Sequence, residues 1–191
     1  AQDDAFAFCY PHLLADWKEA GAELSFFSPL NNEAPNDAAD FIYLPGGYPE
    51  LFAGQLSTAD TFMNGLRSAA SKGTYIFGEC GGYMTLGRSL TDGSGATFSM
   101  ADLLPVETSF EQPKLHLGYR NATLAENSFL GSKGTTFKAH EFHYASVTQI
   151  GEDTPLFSLT NAKEESLSPA GLLRSNVAGS FIHLIDRANN D

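Results

Sequence analysis

Apolar positions in the first half of the chain fall into two kinds of block. Some are short uninterrupted runs, residues 41–44 (FIYL) and 74–77 (TYIF), each closed at once by proline or glycine. Runs of that length and ending predict strands buried on both faces, as in a parallel sheet entering tight turns. Others are spaced at three and four. Leu13, Leu14 and Trp17 within residues 10–21 line one side of a predicted helix, as do Phe62, Leu66 and Ala69 or Ala70 within residues 57–72. Pro11 is tolerated in a first turn, and Gly21 and Gly73 are the expected stops. Residues 23–27 (ELSFF) read as a further short strand, and the alternation of Phe6, Phe8 and Tyr10 marks residues 1–9 as a strand or its remnant. Residues 31–40 are rich in turn formers and read as a loop. A helix is expected to start across residues 83–87.

The second half changes character. Strand-like runs at residues 114–118, 136–138 and 142–147 are separated by turns, and residues 178–185 (AGSFIHLI) form a final predicted strand that carries His183. Strand and helix alternate first, then strands follow strands. That order predicts an α/β fold with a mostly parallel sheet and antiparallel additions in the second half. With 191 residues, no internal repeat and no low-complexity tract, the chain reads as one domain over residues 1–191.

Charge narrows the function classes. Eleven basic against 23 acidic residues leave a formal net charge of −12, which argues against a protein that coats nucleic acid. No apolar run is long enough to cross a bilayer as a helix, and no signal peptide is visible, so a cytoplasmic location without a membrane partner is expected. Two cysteines do not make a disulfide framework.

One of those cysteines sits in Gly78-Glu79-Cys80-Gly81-Gly82, directly after a predicted strand and before a predicted helix. A nucleophile on such a turn is held in a strained conformation with its side chain presented outward, and flanking glycines remove Cβ clashes. The following helix is expected to favour thiolate, and the Gly81 N–H is placed to donate to an oxyanion. The bland reading is a small buried residue in a glycine-rich turn. Pro45-Gly46-Gly47 follows the neighbouring predicted strand and would reach the same sheet edge, where ligands gather, with Gly47 as a second donor. Of the five histidines, His183 is preferred as the base because it ends a late apolar strand. His140 and His143 stand three apart without a third ligand at a fixed spacing, so no metal is expected. His12 and His116 read as surface or packing residues, and Cys9 as structural.

Five strings then appear in order: LPGGYPE (44–50), GECGGYM (78–84), HLGYR (116–120), HEFHY (140–144) and GSFIH (179–183). Over residues 6–186 the chain resembles the glutamine amidotransferase domains of the cobyrinic acid a,c-diamide synthase family. Cobyric acid synthases carry a related domain, but PGGYPE and GECGGYM are more similar to the former. The resemblance implies a flavodoxin-like three-layer sandwich of the class I amidotransferase type. It implies Cys80 as nucleophile, His183 as catalytic histidine, and Gly47 and Gly81 as oxyanion donors. It implies L-glutamine as substrate and ammonia as the product used to amidate the a and c carboxylates of a corrin acid in cobalamin biosynthesis. It also implies that the chain is the carboxyl-terminal part of a longer one, whose synthetase domain is the partner and binds ATP and Mg²⁺, with no cofactor in the present part. No G-x-x-x-x-G-K-[ST] loop occurs here, in line with that division. Ordinary class I glutaminases place a Glu two residues after the histidine. Ile185 stands there in this chain, and Asp186 is expected to point away, so what orients His183 is left open. Two other readings stay in view: a non-catalytic binding module of the same fold, and a cysteine peptidase or chaperone-like relative. Residues 140–144 are a candidate contact with the partner domain.

Overall fold

Alternation along the two buried runs divides the interior into two cores. The computed structural model describes residues 1–188. In β1 (Phe41–Leu44) and β2 (Tyr75–Glu79), Ile42, Leu44 and Ile76 enter one core, whereas Tyr43 and Phe77 face the other. Helices α1 (Pro11–Glu19), α2 (Ala53–Ser57), α3 (Asp60–Lys72) and α4 (Gly81–Leu86) surround this sheet. Phe62, Met63 and Leu66 of α3 fill the first core, and Trp17 of α1 packs edge-on against Tyr43 on the opposite face at 5.4 Å. Short strands β3 (Ser89–Thr91), β4 (Thr97–Ser99) and β5 (Val106–Ser109) follow. Then come β6 (His116–Leu124), β7 (Thr136–His143), β8 (Ser146–Ile150), β9 (Thr154–Asn161), β10 (Ser166–Arg174), β11 (Val177–Ser180) and β12 (Ile182–Arg187).

Eight strands form the main sheet in the order β1-β2-β11-β10-β9-β6-β7-β12, and β4-β3-β5-β8 form a second. The expected α/β architecture is present, but the main sheet is mixed rather than mostly parallel. Its parallel pairing is confined to β1–β2 and β2–β11, and every other neighbour in it is antiparallel. The reason is the run of hairpin-connected strands from β6 onward, which need no crossover helix.

The parallel part positions the site. Leu44 pairs with Gly78, and Ser180 pairs with Glu79, so β1, β2 and β11 end together at one edge. Pro45-Gly46-Gly47, Cys80 and Phe181 leave that edge side by side. At Phe181 the chain turns, with the Ile182 N–H donating to Ser180 Oγ at 3.1 Å, and β12 then pairs with β7, placing His183 opposite His140. The predicted strand over residues 178–185 is therefore two strands that change partners. The run predicted at 142–147 is likewise divided between β7 and β8.

Other expectations are corrected. Residues 23–27 form no strand. Among the described residues the segment pairs with no strand, and Leu24, Ser25, Phe26 and Phe27 line a groove of about 960 Å³ together with Phe41, Ile42 and Tyr43 of β1. Residues 1–9 hold a 3-10 turn (Asp4–Phe6) and a single bridge from Phe8 to Gly46 in place of a strand. The helix expected over 57–72 is interrupted. The Thr58 hydroxyl donates to the Gln55 carbonyl at 3.0 Å and closes α2, and Asp60 in the first turn of α3 favours a fresh start. The helix foreseen over 83–87 begins earlier, at Gly81.

Phe62 is fully buried between Phe6 and Phe27, with ring centroids 6.3 and 6.2 Å away. Truncation there opens a cavity in the core beneath the site. Phe62→Ala is expected to cost ~3–5 kcal/mol of unfolding free energy, read from the shift of the urea midpoint. An unshifted midpoint would contradict this packing.

Candidate active site

Cys80 is the residue between β2 and α4, and its backbone has φ 51° and ψ −103°, a conformation side chains avoid. The turn is fixed from both sides. The Cys80 N–H donates to the Ser180 carbonyl at 2.8 Å and the Gly82 N–H to the Pro45 carbonyl at 3.1 Å. A Cβ on Gly82 would collide with the Leu44 carbonyl oxygen, so the tight crossing of β1 and the elbow needs glycine there.

The Pro45-Gly46-Gly47 turn is braced by the start of the chain. Phe8 donates to the Gly46 carbonyl at 2.9 Å and Tyr48 to the Ala5 carbonyl at 3.1 Å. Gly47 lies so close to Ala5 that any Cβ would strike its carbonyl oxygen. A Cβ built on Gly81 would stand 3.0 Å from the Gly47 nitrogen, which places the two backbone N–H groups next to one another beside Cys80. At Gly46 the same construction meets His183 Cε1 at 2.9 Å and Cys80 Cβ at 3.4 Å, so the imidazole and the cysteine meet over that glycine. The structure thus brings Cys80, His183, Gly47 and Gly81 to one place.

The electrostatics correct one expectation. The Cys80 thiol is pushed up to about 12, first by burial and then by the charge of Glu79, and the Gly81 N–H only partly opposes this. The resting sulfur is a thiol, not the thiolate that the helix start alone would favour. It points its proton toward the Phe142 carbonyl at 3.8 Å. A base is therefore required. His183 is 3% exposed, and its Nε2 has no hydrogen-bond partner among the described residues.

The other side of His183 is crowded. Nδ1 lies 3.3 Å from Glu79 Oε1 and 3.4 Å from Tyr10 Oη. Tyr10 in turn bonds His140 Nε2 at 2.7 Å, and His140 stacks on His183 with centroids 4.6 Å apart. Burial and the neighbouring His183 lower His140, which favours its neutral form. Asp186 is exposed and accepts from the Arg187 N–H, but the register shifts between Leu184 and Asp186, so it does not share the half-buried side of Leu184 that strand alternation predicted. Sequence reasoning assigned no role to Glu79, although a carboxylate at the end of an otherwise apolar buried strand was a usable signal.

Residues 140–144 form a wall of the site. Phe142, His143 and Tyr144 line a cavity of about 80 Å³ that also contains Gly47, Glu50 and Cys80. The much larger groove along β1 reaches Glu79 but not Cys80, so the small cavity is the one beside the chemistry. Burial pushes the Glu50 carboxyl up. His116, Glu141 and His143 bring three ligand-type atoms within 4.8 Å, a proximity created by the β6–β7 pairing that sequence spacing did not show. Arg120 already holds that carboxylate at 2.7 Å, and His143 contacts the Ala145 carbonyl at 2.9 Å.

The buried thiol has a direct optical consequence. The ultraviolet thiolate band of the protein minus that of Cys80→Ser is expected to stay flat to roughly pH 10, where an ordinary thiol has ionised, and to rise only above it. A thiolate appearing near neutrality would overturn this picture of the resting site.

Comparison with known proteins establishes the family. The profile of the CobB/CobQ-like glutamine amidotransferase domain matches residues 1–191. A hydrogenobyrinate a,c-diamide synthase of a Sinorhizobium species is 54% identical over 188 residues, covering 98% of this chain and 43% of that relative. The enzyme of the same name from Rhizobium meliloti strain 1021 is 53% identical, covering 97% of this chain and 43% of its own length. The chain thus spans less than half the length of these relatives. Among solved structures, a glutamine amidotransferase from Thermotoga maritima superposes with TM-score 0.59 at 13% identity, over 90% of this chain and 68% of that one. A second glutamine amidotransferase superposes at 0.56 and 16% identity, over 88% and 82% of the two chains. The chain belongs to the CobB/CobQ-like glutamine amidotransferase family.

Proposed function

We propose that this chain is the glutaminase part of an ATP-dependent amide ligase. It releases ammonia from L-glutamine for amidation of the a and c carboxylates of hydrogenobyrinic or cobyrinic acid, in the cytoplasm. The observation that carries this is the meeting of a strained, buried Cys80 with His183 and two backbone N–H groups in a chain of this family. The names of the relatives favour the corrin substrate, and ammonia released at Cys80 serves a synthetase domain elsewhere in the same protein, where ATP and Mg²⁺ belong. No residue of the present chain is assigned to them.

The chemistry is acyl transfer. His183 Nε2 takes the Cys80 proton as the sulfur attacks the carboxamide carbon of glutamine, and the oxygen that becomes anionic is met by the Gly47 and Gly81 N–H groups. His183 then gives its proton to the amide nitrogen, the C–N bond breaks and ammonia leaves. A glutamyl thioester remains. Water, deprotonated by His183, attacks it and frees glutamate and the thiol. Glu50 is the carboxylate in the cavity wall and suits the α-ammonium group of the substrate.

The partner surface lies on the adjoining hairpin. Leu117 and Tyr119 of β6 and Phe142 and Tyr144 at the end of β7 are exposed beside the cavity, an apolar face suited to covering by the synthetase domain. This extends the contact expected at residues 140–144.

In the full-length protein, Cys80→Ala is expected to abolish glutamine-driven amide formation while ammonia-driven formation continues. Gly47→Ala should lower the glutamine-driven rate ~10²–10³-fold, the effect of losing one oxyanion donor at ~2.7–4 kcal/mol. Glutamine still serving as donor to the Cys80→Ala protein would sink the reading.

A further inference from the structure

A carboxylate ends β2 in a strand otherwise made of apolar residues and glycine, and Glu79 is only 1% exposed. Such a group is retained inside a protein only when its oxygens are satisfied. Those of Glu79 are. Tyr43 Oη donates to Oε1 at 2.9 Å, the Leu184 N–H donates to Oε2 at 3.0 Å, and His183 Nδ1 lies 3.3 Å from Oε1. One carboxylate therefore lies against the imidazole of His183 and accepts from the main chain of the very next residue.

We propose that Glu79 is the positioning residue of the Cys80–His183 pair, supplying from β2 the carboxylate that is absent two places after the histidine. The hydrogen bond at His183 Nδ1 is with the Tyr10 hydroxyl at 3.4 Å, and the carboxylate 3.3 Å away, which only accepts, favours a proton on that nitrogen. The lone pair is then on Nε2, the nitrogen without a partner among the described residues and the one required to take the thiol proton. Tyr10 also meets Nδ1 but brings no charge to an imidazolium. Its hydroxyl is closer to His140 than to His183, at 2.7 against 3.4 Å. Ile185 is apolar, and Asp186 is turned to solvent.

The charges give the arrangement its direction. A thiolate formed alone beside Glu79 would put two negative groups on adjacent residues, and Glu79 indeed opposes ionisation of the sulfur. When the proton moves to His183, the new imidazolium lies between thiolate and carboxylate, and the same Glu79 becomes favourable. Glu79 thus discourages loss of the thiol proton to water and favours its transfer to the histidine.

This inference rests on the glutaminase reading, and the test separates the two. In the full-length protein, Glu79→Gln keeps the shape and removes the charge. Its glutamine-driven kcat is expected to fall on the order of 10²–10⁴-fold, as when the orienting carboxylate of another catalytic histidine is amidated, with KM nearly unchanged and the ammonia-driven rate intact. The groups facing His183 are Glu79 and Cys80 from the elbow, His140 from β7 and Tyr10 before α1; Tyr43 from β1 touches Glu79 in turn. Of these the substitution alters only the carboxylate. A fall in kcat at nearly constant KM, with the ammonia-driven rate intact, is therefore the readout that a merely structural role would not give. Glu79→Asp should lie between the two proteins. It carries the test by itself if the amide variant does not fold, with at least a roughly tenfold loss of glutamine-driven kcat expected.

An unchanged glutamine-driven kcat would overturn the role. So would loss of the glutamine- and ammonia-driven rates together with a lowered melting temperature, which marks a mere tie between strands. Glutamine-driven turnover persisting in Cys80→Ala would instead remove the glutaminase reading, and the positioning role with it.

Discussion

The register of three parallel strands is the constraint on which the site depends. Leu44 against Gly78 and Ser180 against Glu79 make β1, β2 and β11 end at one edge. Every group of the proposed chemistry leaves from that edge within a few residues: Gly47 after β1, Cys80 after β2, His183 after β11. A slip of one residue would turn each side chain to the opposite face. The two cores enforce the register because Ile42, Leu44 and Ile76 fill one and Tyr43 and Phe77 border the other. Site geometry and core packing are thus the same requirement. Truncating a core side chain as deep as Phe62 loosens the support on which the elbow stands.

Legibility in the sequence followed how local each feature is. The buried runs at 41–44 and 74–77, the stops at Gly21 and Gly73, and the elbow around Cys80 each rest on neighbours in the chain, and all were readable. The strand expected at residues 23–27 failed because a strand exists only with a partner, and this segment pairs with none among the described residues. The break at Phe181 was hidden because Ser180, the one polar residue between Ala178 and Ile182, does not reveal that the pairing partner changes. Glu79 shows the same limit. Its place beside Cys80 is visible in the sequence, but its contact with His183 joins residues more than a hundred positions apart.

Burial of the nucleophile links the electrostatics to the order of chemical steps. With its thiol held up near 12, Cys80 is a poor target for stray electrophiles and a poor spontaneous nucleophile. In the proposed chemistry the sulfur becomes reactive when His183 accepts its proton, and that imidazole is itself enclosed by Glu79, Tyr10 and His140. The strained φ of Cys80 fits this scheme. The elbow holds the sulfur beside the imidazole without help from a long side chain, and the hydrogen bonds of Cys80 and Gly82 to Ser180 and Pro45 sustain the strain.

The switch of partners at Phe181 ties the two halves of the fold to one reaction. β11 belongs to the parallel part that carries Cys80, while β12 belongs to the antiparallel hairpins that carry His140 and the exposed apolar face around Leu117, Tyr119, Phe142 and Tyr144. His183 stands just beyond the crossing. Its backbone is paired to β7, its ring to Glu79 of β2. The Phe142 carbonyl that receives the Cys80 thiol lies on the same hairpin. A domain seated on that hairpin would press on β7 and so on both neighbours of the nucleophile, the carbonyl that holds its proton at rest and the histidine that removes it. The hairpin thus carries the carbonyl that meets the Cys80 thiol, and its strand β7 pairs with the strand that holds His183.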